Sequence, residues 1–216
     1  MLTKNIEFKN FQITKKKSKI NKIWDVLKRN YFDNLEPVLL SLKKNYKYSF
    51  NSKQLRKFKK FNEFKIYGMG GSILGAKAIY YFLKKKIKKK FNFVDNINLK
   101  KKDQNKNKQL NIIISKSGNT LETIINLNSD KINNRLFITE NKDSFIKKIA
   151  EKMKNEIVEH RNFIGGRYSV LSETGMLPAC LMGLNPNKFK QLDSLITKKG
   201  YIQKLIINVE SILYFH

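Results

Sequence analysis

One cysteine, three prolines and two histidines in 216 residues leave little room for several kinds of chemistry. Cys180 stands alone, so no disulfide can form within these residues, and no group of Cys and His has the number or spacing of a zinc site. That usage fits a reducing, cytoplasmic setting. No uncharged apolar run reaches the roughly 18 residues of a membrane-spanning helix, and charges interrupt residues 1–9, where a secretory peptide would carry its apolar segment. Proline is scarce and there is no Ser-rich linker, so no internal boundary is marked beyond a change of pattern near residue 60. No repeat of 20 to 50 residues is present.

Acidic residues are also few, 17 against 45 Lys and Arg, which leaves a formal net charge of +28. Such a charge raises the possibility of a polyanion partner. The excess is mostly lysine, in runs such as Lys15-Lys16-Lys17, Lys84-Lys85-Lys86, Lys88-Lys89-Lys90 and Lys100-Lys101-Lys102, a bias that reaches loops and helices alike. Base readers favour arginine, whose planar fork pairs with guanine edges, and arginine is sparse here. The charge therefore reads as solvated surface, with no membrane and no nucleic-acid partner expected.

What the chain does have is 41% hydrophobic residues in two different rhythms. Up to about residue 60 the spacing is helical, through Ile20, Ile23, Trp24 and Leu27 and then Leu39, Leu40 and Leu42, with Trp24 expected as a core anchor. From about 61 short apolar runs alternate with longer helical stretches. Strands are expected at Phe64-Lys65-Ile66-Tyr67, Phe91-Asn92-Phe93-Val94, Leu110 to Ile114, Leu136 to Thr139 and Glu156 to Glu159. The alternation predicts an α/β fold with a mostly parallel sheet of about five strands wrapped by helices. Ligands of such sheets bind at the carboxyl ends of the strands. A last apolar stretch, Tyr201 to His216, keeps helical spacing with no capping signal, as though the sequence stopped inside a helix.

Three small-residue loops follow strands, and they carry the candidate chemistry. Ser115-Lys116-Ser117-Gly118-Asn119-Thr120 joins the third strand to the next helix. The first amides of a helix lack intrahelical partners and carry the positive end of its dipole, so hydroxyls from Ser115, Ser117 and Thr120 beside them form a cradle for an anion, phosphate above all. Asn119 also fits a helix cap, with Glu122 three residues on completing a capping box. Gly68-Met69-Gly70-Gly71-Ser72 follows the first strand; its glycines allow close backbone approach to a ligand, and Ser72 can cap the next helix or donate to ligand oxygens. It is not the dinucleotide fingerprint, because the third glycine is out of place. Gly165-Gly166-Arg167-Tyr168-Ser169-Val170-Leu171-Ser172 sets a guanidinium on a bend, suited to neutralising an oxyanion. Tyr168 and Val170 are expected in the core, and Ser172 as the cap of a helix from Glu173 to Leu184.

Taken together, these three segments resemble the signature segments of the glucose-6-phosphate isomerase family, whose sugar isomerase (SIS) domains bind phosphosugars. Ser-Lys-Ser-Gly-Asn-Thr-Leu-Glu-Thr is shared with the wider SIS group, Gly-Gly-Arg-Tyr-Ser with a serine three residues on is particular to the isomerase, and Val94-Asp95-Asn96-Ile97 falls at a similar family segment. The resemblance covers residues 61 to 184. It implies a doubly wound, three-layer α/β/α, flavodoxin-like SIS domain at 61–184, preceded by a helical segment at 1–60 and followed at 185–216 by the helical start of a further region. It implies that Ser115, Ser117 and Thr120, with Lys116 nearby, hold the sugar phosphate, that Gly71 and Ser72 border the sugar, and that Arg167 is catalytic, stabilising a cis-enediolate between glucose 6-phosphate and fructose 6-phosphate in glycolysis and gluconeogenesis. No cofactor or metal is implied, and the full-length family member is implied to be a homodimer.

The family's glutamate base, ring-opening histidine and further lysine belong to a second SIS domain beyond the arginine, and neither His160 nor His216 lies in a matching segment. The sequence therefore reads as an N-terminal portion, inactive alone. A stand-alone phosphosugar-binding regulatory module is the other reading.

Overall fold

The computed structural model describes residues 17–33, 36–97, 108–129, 134–191 and 198–214. Residues 1–9, 15–16, 100–102 and 215–216, which entered the reading of leader, lysine runs and terminus, lie outside the described residues. The chain resolves into two compact units, one of residues 45–189 and one built from the stretches on either side of it.

In the flanking unit, the 3.6-residue rhythm gives helix α1 (Lys17–Phe32), on which Trp24 is buried against Ile202, Ile206 and Ile207 of the last helix. Leu27 stays 41% exposed although it shares the apolar rhythm. Leu39, Leu40 and Leu42 form no further α-helix but a six-residue 3₁₀ turn, Pro37–Leu42, which ends where Lys43 becomes extended. The lysine's ammonium stands over the Tyr31 ring, 5.2 Å from its centre.

The unit of residues 45–189 begins with α2 (Ser52–Arg56), a short helix closed by a capping box between Asn51 and Gln54. There follow β1 (Glu63–Tyr67), α3 (Gly71–Phe82), β2 (Lys90–Val94), β3 (Gln109–Ile114), α4 (Leu121–Ser129) and β4 (Arg135–Thr139). Then come α5 (Phe145–Lys152), β5 (Glu156–Glu159) and α6 (Glu173–Leu181), with the last helix, α7 (Lys199–Tyr214), belonging to the flanking unit.

All five expected strands are present, pairing in parallel in the order β2-β1-β3-β4-β5. Strand β3 is buried along its whole length, as a central strand covered on both faces must be. Its Leu110, Ile112 and Ile114 join Phe64, Ile66, Leu136, Ile138 and Val158 in a core with α2, α3 and α6. Ile113 points the opposite way, into a second core with Tyr67, Phe137, Leu127 of α4, and Ile146 and Ala150 of α5. The period of two along the strands thus yields three layers from one sheet, a doubly wound α/β/α fold. After β2 the chain returns past β1 to β3, so connections leave in opposite directions from β1 and β3. That reversal is the topological switch point, and ligands of such sheets bind beside it at the carboxyl ends of the strands. No described helix is long and apolar enough to cross a membrane.

Candidate functional site

The three small-residue loops all emerge at that carboxyl edge. The connection after β1 turns at Gly70, whose φ is +50°, and α3 starts at the next residue. Gly70 occupies the cap position, so Ser72 is not the cap foreseen as one of its two roles. It sits in the first turn of the helix with its side chain free of any hydrogen bond among the described residues. Gly71 faces the third loop so closely that a Cβ there would overlap the carbonyl group of Gly166 and lie 2.8 Å from the Arg167 amide nitrogen. Only a glycine permits this approach. The Ser169 hydroxyl binds both sides of the seam, with the Gly71 carbonyl at 3.2 Å and the Gly166 carbonyl at 2.7 Å.

Residues Gly166–Leu171 form a 3₁₀ turn, and this geometry overturns two expectations drawn from apolar character. Tyr168 is 59% exposed and Val170 is 37% exposed, because successive residues of a tight turn fan outward while the buried Ser169 holds its inner side. Ser172 stands at the N-cap of α6 but donates its hydroxyl to the Ser169 carbonyl at 2.7 Å instead of capping the helix. That helix stops at Leu181, not Leu184, where Gly183 takes a φ of +87°. Arg167 is exposed at the start of the turn, and its guanidinium has neither a hydrogen bond nor an ion pair among the described residues.

The second loop, after β3, is where hydroxyls gather. Ser115 is buried and its oxygen lies 2.9 Å from the Thr120 hydroxyl while accepting from the Gly118 amide at 3.1 Å. Ser117 Oγ lies 3.4 Å from Thr120 Oγ1 and accepts the Asn119 amide at 3.3 Å. These bonds hold three hydroxyls and the loop amides of Gly118 and Asn119 around one small volume just ahead of α4. Gly118 turns the loop with φ +69°, and a Cβ on it would run into Ser144.

Asn119 does not cap α4. Its side-chain oxygen accepts the Phe145 amide at 2.9 Å, and the Gly118 carbonyl accepts the Ile146 amide at 3.0 Å, so the loop is fastened to the start of α5 by amides that helix cannot satisfy itself. Lys116 reaches sideways. Its ammonium donates to the Asn162 carbonyl at 2.8 Å and pairs with Glu140 at 3.3 Å, linking this loop to the approach of the third. Burial would raise the Glu140 carboxyl, but the ammonium groups of Lys142 and Lys116 outweigh it and hold the group below its ordinary value.

Two buried ionisable residues near the third loop escaped the sequence reading of roles. His160, expected as an ordinary strand-end residue, is 1% exposed, with Nδ1 3.0 Å from the Arg161 carbonyl; burial depresses its pKa. Glu173, fully buried at the first position of α6, accepts from the Tyr46 hydroxyl at 3.0 Å and the Ser49 amide at 3.1 Å. Burial first, and then the Glu173 charge, pushes the Tyr46 hydroxyl well above its usual range. The acidic start of α6 was legible in the sequence, but its partners from residues 46 and 49 were not.

Residues 44–198 match the family model described as Phosphoglucose isomerase. The chain belongs to that family. Among curated relatives, glucose-6-phosphate isomerase of Methanocaldococcus jannaschii is 36% identical over 152 residues, which is 62% of this chain and 37% of that protein. The Borreliella burgdorferi (strain ZS7) glucose-6-phosphate isomerase is 36% identical over 139 residues, 55% of this chain and 26% of that one. The matches thus span about a quarter to just over a third of these relatives' lengths. Among solved structures, a hypothetical protein from Thermus thermophilus has a TM-score of 0.66 at 19% identity, covering 93% of this chain and 53% of that one. A protein from an E. coli strain reaches 0.52 at 18% identity, covering 82% of this chain and 96% of that one. At those identities the likeness is one of fold. The phosphoglucose isomerase segment of this chain is the unit in which all three loops lie.

Proposed function

We propose that this chain is the phosphosugar-binding half of a glucose-6-phosphate isomerase, acting on glucose 6-phosphate and fructose 6-phosphate. The observation that carries the reading is the close seating of the Gly71 backbone on Gly166 beside Arg167, at the same sheet edge as the hydroxyl cradle. In the proposed complex the substrate phosphate replaces the mutual bonds of Ser115, Ser117 and Thr120 and takes the first amides of α4, where the helix dipole favours negative charge. Gly71 and Ser72 border the sugar. Lys116, with its ammonium held by Glu140 and Asn162, adds positive potential from the side of the loop.

Isomerisation moves one proton between carbons and one between oxygens. A base takes the C2 proton of the open-chain aldose, the C2–H electron pair becomes the C1–C2 double bond and the carbonyl pair moves onto O1, giving a cis-enediolate. The O2 proton passes to O1, and as a proton returns to C1 the O2 lone pair forms the C2 carbonyl of the ketose. Arg167 is proposed to stabilise that oxyanion, a contribution of about 3 to 4 kcal/mol for a well-placed donor in a dry site. The base comes from polypeptide outside these 216 residues, in a cytoplasmic, dimeric full-length enzyme, and the segment alone turns over no substrate.

Calorimetric titration of the 216-residue chain with glucose 6-phosphate tests the binding half of this reading. Saturable binding that Ser117→Ala weakens, with Arg167→Ala retaining it, is expected. In a full-length enzyme Arg167→Ala keeps substrate binding and loses roughly 10²–10³ in kcat. A full-length protein with no conversion of glucose 6-phosphate to fructose 6-phosphate would refute the assignment.

A further inference from the structure

The opposite edge of the sheet carries a second feature that the phosphosugar reading does not use. A cavity of about 440 Å³ lies at the amino ends of the strands, between α2, the residues just before β1 and β2, and the far end of α6. Its floor is apolar, from Leu55, Leu181, Leu184 and the partly buried Cys180, and its polar lining includes Lys59 and Lys89. The volume is in the range of small-molecule sites.

Lys59 is exposed at the rim of the cavity, whereas Lys89 is not an ordinary surface cation. Lys89 is half-buried, donates to the Lys59 carbonyl at 2.8 Å and lies 5.2 Å from the centre of the Phe64 ring, so its ammonium is fixed over the sheet rather than free in solvent. Neither ammonium has a carboxylate partner among the described residues, and no acidic side chain lines the cavity. Burial, and after it the neighbouring Lys59 charge, lower the Lys89 pKa. An anion entering there would offset the repulsion between the two ammonium groups and favour the charged form of Lys89. Inorganic phosphate alone would leave the leucine floor wet, whereas an apolar molecule would leave the ammonium groups unmatched.

We propose that this cavity binds a small organic anion with a short apolar chain, its acidic group held by Lys59 and Lys89 and its chain laid on Leu55, Leu181 and Leu184. The site is separate from the three loops and stands or falls apart from them.

Cys180 is the only cysteine, so its alkylation reports on this cavity alone. Burial pushes the thiol up to about 11, which makes labelling by N-ethylmaleimide slow and measurable at mildly alkaline pH. Hexanoate and hexyl phosphate are the probes. If only the empty cavity reacts, labelling slows about tenfold at ten times the probe's Kd. Lys59→Gln/Lys89→Gln, checked for an unaltered circular dichroism spectrum, raises that Kd about tenfold, and Lys148→Gln on α5 leaves it unchanged. The proposal is overturned if neither probe protects, if hexan-1-ol or inorganic phosphate protects as well as hexanoate, if the double variant protects like the parent, or if glucose 6-phosphate protects Cys180.

Discussion

The first and third loops meet backbone to backbone, while the second offers hydroxyls bonded chiefly to one another and to loop amides. At the seam of Gly71 and Gly166 nothing can give, because the atoms in contact are main chain on both sides. In the cradle every bond is a hydroxyl contact between 2.9 and 3.4 Å, and each can be exchanged for a ligand oxygen without moving the backbone. On the proposed reading the rigid seam fixes the backbone at Arg167, and the exchangeable hydroxyls take the anion. The contrast predicts that substitutions at the seam strike stability and those in the cradle strike binding.

The largest effect is expected at the seam. Gly71→Ala forces a Cβ into the Gly166 carbonyl and should cost about 3 kcal/mol or more, a fall in Tm of roughly 6–12 °C. Gly166→Ala tests the same contact from the other side, where the nearest obstacle to a Cβ is Gly71 Cα at 3.9 Å. It should cost no more than about 0.5 kcal/mol. Equal losses in thermal melts of the two variants would break the one-sided account of the seam.

Next comes Gly118→Ala, which combines a φ of +69° with a Cβ 2.5 Å from that of Ser144, whose hydroxyl caps α5. About 2 kcal/mol is expected in urea titrations. By contrast, Thr120→Ala should leave stability within about 0.5 kcal/mol of the parent while weakening glucose 6-phosphate binding about tenfold. A variant that lost stability and kept affinity would reverse the comparison.

The smallest effect concerns pH. His160 is buried with its folded pKa below the unfolded value, so the unfolded chain binds the proton more readily. The neutral ring's full stability is present above about pH 6.5 and declines as pH falls below it. His160→Gln should flatten that slope in melts between about pH 7 and 5. An unchanged slope would assign the acid sensitivity to other groups.

The sheet was legible in the sequence because Leu110, Ile112, Ile113 and Ile114 are apolar on both faces, a pattern only a covered central strand needs. The loops were legible as loops for the same reason, being small and polar between such runs. Sequence and structure part wherever a distant residue decides a local role. Asn119 has the right chemistry to cap α4, but the unmet amide of Phe145 claims it. Tyr168 and Val170 are apolar, yet the 3₁₀ turn sets them outward around Ser169. Leu39, Leu40 and Leu42 carry a helical rhythm in a segment too short to close more than a 3₁₀ turn after Pro37. Nothing in the residue string around Gly71 announces Gly166, far along the chain, as its neighbour.

The proposed cradle is tested most directly by following the backbone amides of the isotope-labelled 216-residue chain by NMR during titration with glucose 6-phosphate. The account predicts saturable shifts centred on Gly118, Asn119 and the first turn of α4, with Ser117→Ala raising the midpoint about tenfold. Shifts that leave those amides untouched while moving others, or none at concentrations that saturate an isomerase, would contradict it.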